Sequence, residues 1–252
     1  MHNILIVGAG LNKYSDIRFR EEAKKLDANL VDYYLADKDT EFKATLNRRY
    51  FSNLIRYQQG KQVNDIVKGI FWKDKVVQLT ALDLPCRKPR YLIGEGLSFN
   101  LIADTINLPF IAKVSRGSQG NGVFMVKDIT DFEALPKCEI FEEVIWNSLG
   151  KDLRVFTIRG EVKACMLRQN DTDFKSNFHQ GGKGSNYEIN DEVRSIAREI
   201  YRNTQLDVCG IDLLLDNKEY VFCELNVNPG FNELEHACNY NAAKDIIKMC
   251  LE

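Results

Sequence analysis

The 252-residue chain carries no surplus of charge: 34 basic residues face 36 acidic ones, for a formal net charge of −2. Nucleic-acid backbones are gripped through an excess of lysine and arginine that releases counterions, so this balance argues against a dedicated nucleic-acid binder. No apolar run approaches the roughly 20 residues that cross a bilayer. The opening Ile4-Leu5-Ile6-Val7 is too short for the apolar core of a secretory signal and reads as a buried strand. Seven cysteines are an odd number, and no two lie closer than twelve positions. That spacing excludes a CxxC zinc or redox motif and gives no disulfide framework; the cysteines read as small buried hydrophobes. Three scattered histidines make a structural zinc site equally unsupported. The expectation is a soluble, cytoplasmic protein with no membrane or nucleic-acid partner. The rest of the composition, 44% hydrophobic, 28% charged and 10% aromatic, is that of a globular protein. At about 100–200 residues per domain, the length allows one large or two small domains.

The first seventy residues alternate strand and helix signals. Asn3–Gly8 reads as a strand, Asp16–Leu26 as a helix and Asn29–Ala36 as a second strand, the order of a small parallel-sheet unit. Gly8-Ala9-Gly10 invites a dinucleotide-binding reading. However, Lys13 stands where a third glycine would let helix and strand pack closely, which leaves a tight turn after a buried strand as the better one. A polar stretch from Tyr57 to Asn64 marks a soft boundary near residue 70. Lys73–Leu82 reads as a helix ended at Leu84-Pro85, and Phe99–Ile106 as one stopped before Pro109. Phe110–Val114, Gly122–Lys127 and Glu139–Ile145 read as strands, with a short helix at Thr130–Leu135. Further on, Arg154–Ile158, Val162–Leu167, Gly210–Leu215 and Tyr220–Leu225 are strands joined by hairpin-like turns. Val193, Ile196, Ala197, Ile200 and Tyr201 form one helical face with Asn190 or Asp191 as its cap, and Ala242–Leu251 closes the chain as a helix.

Four segments carry chemistry. Lys113 closes a strand before Gly117-Ser118-Gln119-Gly120-Asn121-Gly122, where three glycines in six residues would let backbone amides approach a polyphosphate; a plain hairpin is the competing reading. Asp212 and Glu224 interrupt two strongly apolar strands, where unpaired carboxylates are costly to bury. Asn226 shares a strand face with Glu224, because side chains repeat every two residues. Two carboxylates and an amide oxygen make a hard-oxygen set of the kind magnesium takes beside substrate phosphates; strand-end polar residues satisfied by backbone are the alternative. The other two segments are Gly150-Lys151-Asp152-Leu153-Arg154 and the polar loop running from Asp173 to Gly184, either of which could be an ordinary exposed turn.

Taken in order, Lys113 and its glycine loop, Glu142-Glu143-Val144-Ile145, Lys151-Asp152-Leu153-Arg154-Val155, Phe174-Lys175-Ser176-Asn177-Phe178-His179, and Asp212 with Glu224 and Asn226-Val227-Asn228-Pro229-Gly230 resemble the ATP-grasp superfamily, and within it the RimK-type amino-acid ligases. The resemblance runs from about Lys73 to the C-terminus. It implies an α/β then α+β fold: a small N-terminal parallel α/β domain (1–70), a central lid subdomain (71–145) and a C-terminal subdomain with the metal site (146–252), the last two clamping ATP. It implies that Lys113 and Lys175 contact nucleotide phosphates and that Gly117, Ser118, Gln119, Gly120 and Gly122 close over them. Glu142, Glu143, Val144 and Ile145 would form the adenine-binding hinge, Asp152 would meet the ribose, and Ser176 and Asn177 would complete the nucleotide contacts. Asp212, Glu224 and Asn226 would be the metal ligands. Arg154 and Arg168 would hold an acyl phosphate or a substrate carboxylate. Lys175 stands where RimK-type enzymes carry arginine, Glu142 replaces a usual glutamine, and Val144 an aromatic residue. The implied cofactors are ATP and magnesium, two ions, with manganese as a substitute. The implied reaction joins a carboxylate to an amine through an acylphosphate, with small-molecule substrates; a peptide acceptor and a homo-oligomer stay open. A kinase-like or phosphoramidate-forming enzyme and a nucleotide-binding regulatory module are the alternatives.

Overall fold

Ile4, Leu5, Ile6 and Val7 are all buried in the middle of one strand, β1 (His2–Val7), because each of its faces meets a different core. The computed structural model describes residues 2–8, 13–117, 122–176 and 183–252. β1 pairs in parallel with β2 (Ala28–Asp32) and β3 (Ala44–Asn47), and β3 in parallel with β4 (Lys61–Val63), giving the order β2-β1-β3-β4. Side chains alternate across a strand. Ile4 and Ile6 therefore pack with Phe19 and Ala23 of α1 (Lys13–Lys25) and with Ile246 and Ile247 of the terminal helix α8 (Ala242–Leu251). Leu5 and Val7 enter a second core with Leu153, Ile211 and Phe222. Coverage on both faces is why the strand reads as an unbroken apolar run.

Those partners belong to an antiparallel sheet of β9 (Lys151–Ile158), β10 (Glu161–Gln169), β11 (Lys183–Asn186), β12 (Val208–Asp216) and β13 (Glu219–Asn226), in the order β11-β10-β9-β12-β13. Helix α6 (Asp191–Thr204) buries Val193, Ile196, Ala197 and Ile200 in the same core; Asn190 caps it, its Oδ1 accepting from the Val193 amide at 2.9 Å. Between the two sheets in sequence lies a third, antiparallel one: β5 (Tyr91–Ile93), β6 (Phe110–Lys113), β7 (Val123–Val126) and β8 (Ile140–Glu143), ordered β5-β8-β6-β7. With α4 (Phe99–Ile106) and α5 (Ile129–Glu133) it closes its own core of Ile102, Ile106, Phe110, Val126 and Phe141. The first and last sheets thus share their interior, and the middle one has a separate interior.

Two short helices join these bodies. Asp65 caps α2 (Ile66–Trp72) and Asp74 caps α3 (Lys75–Ala81). Buried Gln78 of α3 pairs with the edge of β13 like a strand: its Oε1 accepts from the Leu225 amide at 2.8 Å, and its Nε2 donates to the Leu225 carbonyl at 2.9 Å. That covers an edge that would otherwise be open to another chain.

The structure departs from the sequence expectations in a few places. The strand expected over Asn29–Ala36 stops at Asp32, where the Leu35 amide turns back to the Asp32 carbonyl. The helix expected from Lys73 begins at Lys75, after its cap. The polar stretch at 57–64 contains β4, hidden because Lys61 and Gln62 are polar and the strand owes its existence to β3 beside it. α7 (Asn232–Cys238), β5 and β11 were likewise unsignalled. All seven cysteines are unpaired, four of them buried. Among the described residues no helix is long and apolar enough to cross a membrane.

One side chain joins all three ends of the shared interior. Buried Asn64, after β4, accepts from the Val208 amide at 2.7 Å and donates to the carbonyls of Val208 at 2.6 Å and Val227 at 3.0 Å, with its own backbone in the left-handed region (φ 52). Asn64→Ala leaves those backbone groups unpaired in the core and is expected to cost about 3 kcal/mol. Urea unfolding of the variant measures this; a loss below about 1 kcal/mol would show that water replaces the amide.

Candidate active site

β12 lies between β9 and β13, and the register fixes which side chains meet. Asp212 is directly opposite Arg154 of β9 on one side and Glu224 of β13 on the other, and Gly210 is opposite Asn226. One strand further, Arg168 of β10 is opposite Asp152 of β9. Residues directly across from one another share a face. Acids and arginines therefore gather on one face of the sheet, Asp152 and Asp212 each beside an arginine and Glu224 beside Asp212, on the face where Phe156 of β9 continues into apolar packing.

The row is closely paired. Arg154 grips both oxygens of Asp212, its Nη2 donating to Oδ2 at 2.8 Å, while Nε pairs with Oδ1. Arg168 holds Asp152 with Nε at 2.6 Å and Nη2 at 2.5 Å, and its Nη2 also reaches Asp212 Oδ2 at 3.0 Å. Asn226 Nδ2 donates to the same Oδ2 at 3.1 Å. Burial alone would raise the Asp212 pKa, but the two guanidiniums outweigh it and hold the carboxyl below the usual range. β13 carries one extra residue here: the register slips between Asp212 and Leu213, leaving Cys223 unpaired as a bulge. Burial pushes the Cys223 thiol up to about 12, so it stays protonated at neutral pH.

The middle sheet leans over this row. Lys113, at the end of β6, is buried with Nζ 2.5 Å from Glu142 Oε2 of β8. Burial would lower its pKa, but Glu142, Cys223 and Glu224 together raise it above the ordinary lysine value, so the ammonium stays charged. Lys75, at the start of α3, donates to the Gly117 carbonyl at 2.9 Å and stands 3.2 Å from Glu224 Oε1. Gly122 lets the glycine loop return onto its strand: it sits at φ 87, and a Cβ there would stand 2.3 Å from Val114 Cγ2. Ser118, Gln119, Gly120 and Asn177, named from the sequence, lie outside the described residues. Lys175 holds its ammonium 5.3 Å from the Phe174 ring centre, next to buried Ser176.

At the hinge, Val144 and Ile145 are buried and Glu143 is tied down from two sides. Arg90 Nε donates to its Oε2 at 2.9 Å, and Arg87 Nη1 to its Oε1 at 2.7 Å. Arg87 Nη2 reaches Asp216 of β12 at 2.6 Å, so one guanidinium straps the middle sheet to the last.

The sequence-named residues therefore converge as two groups: Asp152, Arg154, Arg168, Asp212, Glu224 and Asn226 in one row, and Lys113 with Glu142 above it. Lys75 and Arg87 were missed. A lysine at a helix start and an arginine in a loop read as solvated groups, and only tertiary contact gives them partners. Two carboxylates and an amide oxygen fit a hard divalent cation. Asn226 presents its nitrogen to Asp212 and would turn its amide to ligate; Glu224 offers a carboxylate whose described partner is Lys75.

A parallel sheet followed by a lid that folds over a carboxylate-bearing antiparallel sheet is the ATP-grasp fold. The overall trace superposes on the ATP-grasp ligase PsnB, solved with a phosphomimetic variant of its minimal precursor, Mg and ADP, with a TM-score of 0.77 at 16% identity over 98% of this chain and 97% of that one. The chain belongs to the RimK-like ATP-grasp domain family, whose model matches residues 88–250. It is 37% identical over 147 residues to a probable alpha-L-glutamate ligase of Hydrogenovibrio crunogenus, covering 55% of this chain and 49% of that protein. It is 33% identical over 149 residues to human beta-citrylglutamate synthase B, covering 56% of this chain and 39% of that protein. The aligned parts thus span half or less of these curated relatives.

Burial would raise the Glu143 pKa, but the Arg90 amide and the two guanidiniums hold it below the ordinary glutamate value. The strap is then intact from neutral pH down through about 4.3 and is lost as pH falls through the depressed value. An NMR titration of the Glu143 carboxyl is expected to give a midpoint below the ordinary glutamate value. In Arg87→Gln, where one tie is cut, the midpoint is expected to rise toward the ordinary value; an unchanged midpoint would mean that Arg90 alone holds the hinge.

Proposed function

We propose that this chain catalyses Mg-ATP-dependent amide-bond formation between a carboxylate and an amine, adding an amino acid to a small molecule or peptide. The observation that carries the reading is Asp212, Glu224 and Asn226 together in the charged row, with Lys113 brought over them by the middle sheet and Lys75 by α3.

A carboxylate resists amines because its oxygen is a poor leaving group. In the proposed reaction a carboxylate oxygen attacks the γ-phosphorus of ATP and ADP leaves. The amine then attacks the carbonyl carbon, phosphate leaves, and the amine proton passes to solvent or product. Phosphoryl transfer asks for alignment and charge neutralisation more than for covalent help. Lys113 and Lys75 face the phosphates, each charge held in place by a carboxylate that can be exchanged for a phosphate oxygen. Magnesium held by Asp212, Glu224 and Asn226, as two ions or with manganese in substitution, would neutralise the transferring oxygens. The Gly117–Gly122 loop and Lys175, with Ser176 and Asn177, close the phosphate end and exclude water from the acylphosphate. The hinge from Glu142 to Ile145 receives the base through its backbone, since the Glu142 and Glu143 side chains are already paired. Asp152 meets the ribose only by giving up an oxygen now held by Arg168. Arg154 and Arg168 neutralise the acylphosphate. The site requires no membrane and no nucleic acid, and a cytoplasmic location supplies its nucleotide.

The test is ADP release with Mg-ATP on paired panels of carboxylic acids and amines, with product masses read in the same wells. ADP is expected only where both partners are present, falling at least 100-fold in Glu224→Gln and in Lys113→Met. ADP with a phosphorylated product and no ligation would replace the ligase with a kinase. Nucleotide binding without ADP release on any pair would leave a regulatory module.

A further inference from the structure

Glu224 and Asn226 flank a single residue, Leu225, and that residue is held from three directions. Its side chain is buried in a core that the first and last sheets share, at 2% exposure. Along one edge of β13 it lies opposite Ile211 of β12. Along the other edge both of its backbone groups are taken by one side chain: Gln78 Oε1 accepts from the Leu225 amide at 2.8 Å, and Gln78 Nε2 donates to the Leu225 carbonyl at 2.9 Å. Side chains alternate along a strand, so burying Leu225 on one face turns Glu224 and Asn226 to the other, where Asn226 meets Asp212.

Gln78 is itself fixed. It is 1% exposed, its Nε2 also donates to the Trp72 carbonyl at 2.7 Å, and its backbone amide closes the first turn of α3 on the Asp74 carbonyl at 3.1 Å. A buried amide is costly unless its polar atoms are paired, and two of the three bonds that pair this one go to Leu225. Nearly one turn earlier on the same helix, Lys75 stands 3.2 Å from Glu224 Oε1 and donates to the Gly117 carbonyl. The start of α3 thus touches both the side chain of Glu224 and the backbone next to it. β13 needs an outside hold at this point. The bulge at Cys223 breaks its ladder one residue before Glu224, and the strand ends at Asn226. Leu225 is the fixed point between the irregularity and the strand end. Covering an edge requires only that something occupy it, whereas pairing both groups of the one residue between Glu224 and Asn226 sets a position.

We propose that Gln78 is a positioning residue for the metal site, setting the place of Glu224 and Asn226 through the backbone of Leu225. The proposal rests on the Mg-ATP reading above and deepens it. Gln78 has no hydrogen bond to either ligand side chain; its effect passes through two hydrogen bonds to an edge strand. Ligand distances to a hard cation are fixed to within about 0.2 Å, and magnesium tolerates little departure from its preferred geometry. A strand end free to shift by more than that would present the same ligands at lower affinity. Partners that orient ligands without touching the ion typically change metal affinity by about 10–100-fold.

The test titrates the full chain with Mn2+, following the free ion by electron paramagnetic resonance, first with the metal alone and then with AMPPNP, against AMPPNP without protein. Gln78→Met keeps the length of the side chain and loses both bonds to Leu225. It is expected to weaken Mn2+ binding about tenfold or more, as is Glu224→Gln. In the double variant the combined loss is expected to fall well short of the product of the two, because Gln78 acts through that ligand. Melting temperature is read on the same samples. A Gln78→Met variant that melts earlier and binds Mn2+ within twofold of the wild type would show a residue that only closes the sheet edge, and would overturn the proposal. A double variant whose losses multiply would overturn it too. Gln78→Asn, too short to span to Leu225, carries the test if Gln78→Met does not fold. A wild type that binds no Mn2+ under either condition would remove the metal site and this role with it. Gln78-dependent Mn2+ binding with no ADP release on any substrate pair would keep the positioning role and remove the ligase.

Discussion

The Asp212 carboxylate sits inside a sheet whose other residues are mostly apolar, and most of the site follows from how its charge is met. An isolated carboxylate there would cost several kcal/mol. Antiparallel pairing places Arg154 directly beside it, and Arg168 reaches it from the next strand while holding Asp152. Each aspartate thus has a guanidinium beside it, which offsets the burial of both charges. The same pairing leaves Glu224 and Asn226 at the open edge of the row, where a cation or a phosphate can approach.

Lid placement is a second consequence of charge in a partly buried setting. The middle sheet has its own apolar core, so little hydrophobic contact fixes it over the last sheet. Ion pairs do so instead: Lys75 between Glu224 and Gly117, and Arg87 between Glu143 and Asp216. A few such ties are each weak enough to break and re-form, which suits the lid role proposed for the middle sheet. Packing of the first and last sheets against each other is of another kind. It uses two shared apolar cores and the buried amide of Asn64, while Gln78 fastens α3 to β13, and so holds the floor of the site rigid.

Legibility in the sequence followed the strength of local pattern. The α6 face from Val193 to Ile200, the terminal helix Ala242–Leu251 and the strands carrying Asp212 and Glu224 were readable because period and apolar content agree over many residues. β3, β4 and β5 were not, since three or four residues carry too little pattern and their stability comes from the strand beside them. The site divided the same way. Asp212 and Glu224 stood out as acids inside apolar strands. Lys75 and Arg87 did not, because nothing nearby in sequence marks a charged residue whose partners all lie 42 or more positions away.

By itself, the sequence determined the order of elements, the apolar faces and the identity of the acids and lysines proposed for phosphate chemistry. These depend on local periodicity and on the chemical nature of single side chains. Only the tertiary structure decided the pairing of those charges: that Asp212 has two guanidiniums, that Asp152 belongs to Arg168, and that the bulge at Cys223 sets the register. Electrostatic energy depends on distance through space, and strand register is what turns sequence separation into that distance.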